Sequence, residues 1–222
     1  MIEILKKTPE LLFIYKPAGI PSQKDISGDD DAMTLASREL VSCGEGGELW
    51  LVHRLDRTVG GVLVFARTKQ AARELSRMIS GDEVEKSYLA VTENTVKDGI
   101  ISDYLYHDKR AGRAIVVSPD KRDAKYAELS LDSLSSDGGL YLIRVKLKTG
   151  RFHQIRAQLS SRGAAIVGDS KYGSSNHRTR TPALFAYKLS LIYKNVTYNI
   201  SRLPDTQDYP WSYFTSDLEK IQ

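Results

Sequence analysis

Hydrophobic and polar positions change their spacing several times along the chain, and each change marks an element. LLFIY (11–15) is an unbroken apolar run closed by Lys16-Pro17-Ala18-Gly19, where Pro fixes φ and Gly permits a positive φ, so a strand and then a turn are predicted. A polar loop over 27–31 precedes a helix over 32–41, in which Met33, Ala36 and Leu40 recur at helical spacing. Trp50-Leu51-Val52 and VLVFA (62–66) read as strands, the second β-branched and aromatic enough to be buried. Thr68 then caps a helix, KQAARELSRMIS, with Ala72, Leu75 and Ile79 as its inward face.

Farther along, alternation with a period of two takes over. SYLAVTE (87–93), AIVVS (114–118), AKYAELSLD (124–132) and LYLIRVKLK (140–148) are expected to be half-buried antiparallel strands. One helix interrupts them. It opens after Thr149-Gly150, carries Ile155 and Leu159 with Gln158 at its edge, and ends at Gly163 as a C-cap. AIVGD and FAYKLSLIY follow as further strands. With no internal repeat, low-complexity tract or long linker, the pattern predicts a single α+β domain over 1–222, built on a mixed, mostly antiparallel sheet with flanking helices.

Composition narrows the function classes. At 222 residues with 41% hydrophobic content, the chain can bury one good core or two small ones. MIEILKKTPELLFIY offers neither a signal-peptide pattern nor a membrane span, so a cytoplasmic protein is expected. Cys43 stands alone and permits no internal disulfide, while His53, His107, His153 and His177 lack the paired spacing of a zinc motif. No metal is expected, nor an organic cofactor, since no Gly-rich nucleotide fingerprint follows a strand.

Charge changes the picture more. The net +4 conceals a segment, 138–204, in which twelve Lys or Arg face a single acid, Asp169. The remainder carries twenty basic and twenty-seven acidic residues. Such segregation produces a positive field suited to a polyanion, and nucleic acid is the sharper candidate beside the plainer reading of solvated strand and loop cations.

Between the strands at 50–52 and 62–66 sits the oddest stretch, His53-Arg54-Leu55-Asp56-Arg57, followed by Gly60-Gly61. Two apolar strands joined by so charged a loop suggest a loop that presents a side chain. The glycines would let the backbone turn tightly or approach a substrate with no Cβ in the way.

VHRLDRTVGGVLVFARTK, KSYLAV, TGRFHQIRAQL and AAIVGDSKYG occur in the order and spacing of the RluA-type pseudouridine synthases, and KPAGIPS resembles that family's N-terminal Lys-Pro-x-Gly segment. The resemblance spans roughly 11–190. It implies the pseudouridine synthase fold and an isomerase that breaks the bond from uracil N1 to ribose C1′ in ribosomal or transfer RNA and reattaches the base through C5. By the same resemblance, the catalytic carboxylate is Asp56. A carboxylate suits the task, because it can stabilise or attack positive charge at C1′ or remove a neighbouring proton. Tyr88 of KSYLAV resembles the residue that stacks on a flipped-out uracil, and Arg156 of HQIR the basic residue that pairs with the aspartate. Arg156 gripping a phosphate instead remains open. His53, Arg54, Arg57, Arg151, His153, Gln154, Arg178 and Arg180 are the expected substrate-binding residues.

Two departures stand out. The family loop continues to Thr-Ser-Gly where this chain has Val59-Gly60-Gly61, and its Asn-Lys-Pro is here Tyr15-Lys16-Pro17. Both point to a divergent subgroup. No small RNA-binding domain is expected before residue 11, and target selection is expected from the catalytic domain's own surface, in a monomer with no obligate protein partner and no membrane association. Two other functions compete: a catalytically silent RNA-binding protein of the same fold, and a metal-assisted nuclease, which needs clustered carboxylates that the HRLD loop does not offer.

Overall fold

The computed structural model describes residues 2–26, 28–179 and 181–221. Along the chain run β1 (Glu3–Lys7), β2 (Leu11–Lys16), α1 (Ala32–Ser42), β3 (Trp50–Leu51), β4 (Gly60–Ala66), α2 (Lys69–Ser80), β5 (Val84–Thr92), β6 (Gly99–Asp108), β7 (Arg113–Val117), β8 (Lys125–Asp137), β9 (Leu140–Leu147), α3 (Gln154–Ser160), β10 (Leu184–Tyr193), β11 (Val196–Ser201) and α4 (Thr215–Glu219). Every pairing whose register is described is antiparallel. The chain divides into two compact units, one holding the residues up to Glu85 with Ala186–Leu203, the other Lys86–Phe185 with the residues from Pro204 onward.

In the first unit the strand order is β1-β2-β4-β10, with β11 on β10 and β3 on β4. β4 is buried at all seven positions, as an unbroken apolar run with neighbours on both edges must be. Its register against β2 sets Lys16 opposite Gly61 and Ile14 opposite Leu63. α2 covers this sheet. The Thr68 hydroxyl accepts from Ala71 N at 3.1 Å, which satisfies one of the helix's orphan donors. Its buried stripe is Ala71, Leu75 and Met78, packed with Leu11, Phe13, Val62, Val64 and Leu189. The expected stripe of Ala72, Leu75 and Ile79 is thus rotated by one position. The reason is packing: Ala72 and Ile79 are partly buried at the flank of the same cluster, so Leu75 is shared and the helix phase is set by Met78 reaching the centre. α1 is stopped at its start by Asp31, whose carboxylate accepts from Thr34 N at 3.0 Å. The expected polar loop before it includes Ser27, which lies outside the described residues.

In the second unit the order is β5-β9-β8-β6-β7. α3 packs toward β6 and β7 through Ala157, beside Leu105, Ala114, Ala127 and Tyr172, with Phe152 and Val116 at the edge. α3 is shorter than its apolar pattern predicts. It spans Gln154–Ser160, and Gly163 (φ +73°) lies in the turn beyond it. AIVGD, expected to be a strand, contributes only one bridge, Ile166 to Thr92. Gly168 breaks it: φ is +79°, and a Cβ there would meet Thr181 O at 2.5 Å, so the chain turns where the apolar pattern suggests continuation. β1, β6 and β11 are strands the pattern did not predict.

Candidate active site

The loop from β3 to β4 is moored on both sides of Asp56 by KPAGIPS. On the N-terminal side Ser22 both gives and takes: its hydroxyl donates to Leu55 O at 2.9 Å and accepts from Leu55 N at 3.0 Å. On the C-terminal side Gly19 N donates to Arg57 O at 2.8 Å, and Arg57 Nε donates back to Gly19 O at 3.0 Å. Asp56 O accepts from Val59 N at 3.0 Å, closing a turn that fixes the direction in which the half-buried Asp56 side chain leaves the backbone. The two segments are far apart in sequence and behave as one loop pair. This gives the Lys-Pro-x-Gly resemblance a physical meaning.

Lys16 lies beneath them with no exposed surface. Its ammonium donates to Ile20 O at 2.7 Å, Pro17 O at 3.0 Å and Arg57 O at 3.4 Å. Burial brings its pKa down to about 7; the Asp56 carboxylate opposes that shift and the Arg57 cation adds to it. A buried cation beside Asp56 is what a loop carrying an anion needs for electrical balance. The sign of its effect on stability follows. From pH 7 to about 10.5 the unfolded chain holds a proton on Lys16 that the folded chain has released, so stability rises with pH across that window and the gain is absent below it. Urea titrations of wild type and Lys16→Met should therefore diverge as pH rises from 7 to 9, wild type gaining at most about 1.4 kcal/mol per pH unit. Parallel curves would mean that Lys16 titrates normally.

His53, expected to touch substrate, accepts through Nε2 from Val64 N at 3.2 Å, so that nitrogen is unprotonated and the ring braces β4. Arg54 is exposed. Arg57, also exposed, is engaged by Asp29 and stands 3.8 Å from Asp25. Gly61 has φ +135°, and a Cβ would press on the Ala186 backbone, 2.6 Å from its nitrogen. The close approach that the paired glycines suggested is made by β10. Val59, in place of the family's Thr, is only 2% exposed, a burial that suits a methyl in place of a hydroxyl.

In the second unit Arg156 is buried, and its fork closes on Asp169, Nε to Oδ2 at 2.7 Å and Nη2 to Oδ1 at 2.8 Å. Asp169 is 1% exposed, and its turn is tied by Tyr172 N and Ser174 N, both donating to Asp169 O. The guanidinium also lies over the Tyr172 ring, 4.9 Å from its centre. Sequence reasoning assigned Asp169 and Lys16 no role, although Asp169 is the single acid among twelve bases over 138–204 and Lys16 sits in a quoted motif. Tyr88 lies on β5 opposite Val145, 8% exposed.

The remaining expected contacts are diverse. Gln154 is buried, and its amide makes three bonds: Oε1 accepts from Thr149 Oγ1 and Arg151 N, while Nε2 donates to Glu128 O. It shapes the turn into α3. Arg151 donates to Tyr126 O at 2.8 Å from an exposed position. Arg178 lies exposed over the Tyr209 ring at 4.1 Å, and Arg180 lies outside the described residues. His153 opens α3 in the left-handed region, φ +50°, with Nδ1 3.0 Å from the Tyr172 hydroxyl. Burial, with help from Arg156 and Lys171, lowers its pKa to about 3, so the ring is neutral at physiological pH.

The charge segregation is partly cancelled in space. Arg144 pairs with Asp132, Arg162 with Asp103, Lys194 with Glu10 and Arg202 with Glu3. Positive field is left to fewer residues than the linear count suggests. Among the described residues no group of three His, Cys, Asp or Glu side chains is placed to hold a metal, and no helix is long and apolar enough to cross a membrane.

Asp56 is thus moored above a buried lysine, Arg156 of the HQIR helix is locked on a buried acid, and both lie in an α+β fold built on an antiparallel sheet. The sequence matches the RNA pseudouridylate synthase family over residues 10–161, and the chain belongs to that family of RNA-modifying isomerases. It is 29% identical over 206 residues to an RNA pseudouridine synthase of Haemophilus influenzae, covering 91% of this chain and 88% of that one. It is 30% identical over 189 residues to tRNA pseudouridine synthase C of Haemophilus ducreyi (81% and 77% covered). With ribosomal large subunit pseudouridine synthase D of Borreliella burgdorferi it shares 28% over 200 residues (86% and 61% covered). The structure of human RNA pseudouridylate synthase domain containing 4 has the same fold, with a TM-score of 0.76, 23% identity, and 98% of this chain and 93% of that chain covered.

Proposed function

We propose that this protein converts specific uridines of structured ribosomal or transfer RNA to pseudouridine, with Asp56 as the catalytic carboxylate acting on a flipped-out nucleotide. The bond from N1 to C1′ breaks, the base turns, C5 bonds to C1′, and the C5 proton leaves as N1 takes one up. Nothing is oxidised or reduced, so the chemistry calls for no redox cofactor. Asp56 stabilises or attacks C1′ as the glycosidic bond opens, Arg156 supplies the fixed positive charge of the site, and Tyr88 gives the uracil an aromatic face and a hydroxyl near C5.

The observation that carries this reading is the mooring of Asp56. Three backbone groups flanking it and the Arg57 Nε are bonded to KPAGIPS, and a buried lysine feels its charge. A loop aspartate with only a capping role has no use for a buried counter-cation. The test is release of tritium to water from transfer or ribosomal RNA labelled at uracil C5. RNA binding with no release would leave a silent RNA-binding protein of this fold.

Tyr88→Phe separates the two tyrosine roles. The ring survives, so RNA affinity should stay within about threefold, whereas turnover should fall about 10²-fold if the hydroxyl moves a proton. Tyr88→Leu should lose both affinity and rate. Full turnover in the Phe variant would confine Tyr88 to stacking.

A further inference from the structure

The second unit contains a column of aromatic rings that begins at Tyr172, beside Arg156, and runs away from it. Tyr172 meets His153 edge-on at 5.6 Å, His153 stacks on Phe152 at 3.8 Å with 18° between the planes, and Phe152 meets His107 at 4.1 Å and 32°. Two rings this close to the centre of Phe152 must cover opposite faces of it. The inner end is fixed: Ala114 N donates to the Tyr172 hydroxyl at 2.7 Å, and the neutral His153 ring stands 3.0 Å from that hydroxyl. His153 keeps a left-handed backbone, φ +50°, uncommon for a non-glycine residue. The outer end, His107, is exposed.

His107 shares a face of β6 with Leu105, which is buried against α3, so the apolar layer of the unit runs outward and ends in a heteroaromatic ring. Its surroundings are cationic. Lys109, Arg110 and Arg113 of the β6–β7 hairpin and Lys171 are all exposed, and Lys171 is tied to the hairpin by a 3.0 Å bond to Gly112 O. The nearby Asp108 carboxylate is taken up by Arg110 N and Ala111 N at the hairpin turn, each at 3.0 Å. A flat, pre-stacked ring within a basic rim is complementary to one ligand class, an unpaired nucleobase with its phosphates.

The geometry points to His107 as a stacking platform for an unpaired nucleotide of the RNA other than the target uridine, with the basic rim holding the adjoining phosphates. This rests on the reading of the protein as an RNA-modifying enzyme and adds a binding subsite to it. The site reads no base identity, because every base has a π-face. It selects instead for RNA that offers a single-stranded nucleotide at a fixed distance from the modified one.

The test measures binding of fluorescein-labelled oligouridine and of a fully paired RNA duplex over a range of salt concentrations. His107→Ala should weaken oligouridine binding about tenfold with no change in the slope of log K against log salt, because a stacked base releases no counterions. Duplex binding should be unaffected. His107→Phe should restore oligouridine affinity to within about twofold. Thermal melting of both variants checks the fold, which an exposed position should leave intact. Unchanged oligouridine affinity in the Ala variant overturns the proposal, as does a reduced salt slope, an equal loss on duplex, or failure of Phe to rescue. The assay reads binding alone, so a wild type that binds oligouridine but releases no tritium would defeat the catalytic reading and leave this one standing.

Discussion

Asp56→Asn should lower tritium release from C5-labelled RNA by three orders of magnitude or more, about 4 kcal/mol of barrier, while RNA binding stays at or slightly above the wild-type level. The amide keeps the outline of the carboxylate but has neither its charge nor its nucleophilicity. The mooring of the loop is made by backbone groups of Leu55 and Arg57 and by the Arg57 Nε, which the substitution does not touch. The loop should therefore hold its shape. A further sign comes from Lys16: the Asp56 charge is what opposes the burial of its ammonium, so in the Asn variant the lysine pKa should fall further below about 7. Release at an undiminished rate would remove Asp56 from the chemistry.

Asp169→Asn should cost about 3–5 kcal/mol of stability in urea titration, because it leaves the Arg156 guanidinium, whose side chain is 6% exposed, without its counter-charge. The variant that decides between structure and function is the double one. Arg156→Met with Asp169→Leu removes both charges and should recover most of the stability, since buried ion pairs are often replaceable by apolar residues of like volume. It should not recover turnover, since Arg156 is the cation proposed for the site. Recovery of both would make the pair purely structural.

Much of the fold was legible because its signals are local. Thr68 three residues before Ala71 N, an apolar run at 62–66, and period-two alternation from 140 onward each appear as the elements they predict. What failed has local reasons as well. AIVGD reads as a strand until Gly168, whose positive φ and crowded Cβ position no hydropathy pattern reveals. β6, GIISDYLYHD, escaped because five of its ten residues are polar or glycine and its burial is intermittent. At the proposed site, the motifs pointed to Asp56, Tyr88 and Arg156, but partners across long sequence separations were invisible. Lys16 reaches Arg57 O across 41 positions, and nothing in the spacing of either segment says so. Asp169 did leave a trace, as the lone acid in a basic segment. A buried arginine in such a stretch must find a counter-charge, and Asp169 is the one acid the segment holds.

The mooring of Asp56 also bears on how the protein comes into being. The bonds described above, from Lys16, Gly19 and Ser22 to Leu55, Arg57 and the His53 brace on Val64, join residues numbered 16 to 64. A chain still on the ribosome can tie this knot before any residue of the Arg156 seat has been made. That seat draws on Arg156, Asp169 and Tyr172, synthesised about a hundred residues later. The residues that moor Asp56 thus leave the ribosome well before those of the Arg156 seat, while β4, which follows the loop, gains its neighbour β10 only later.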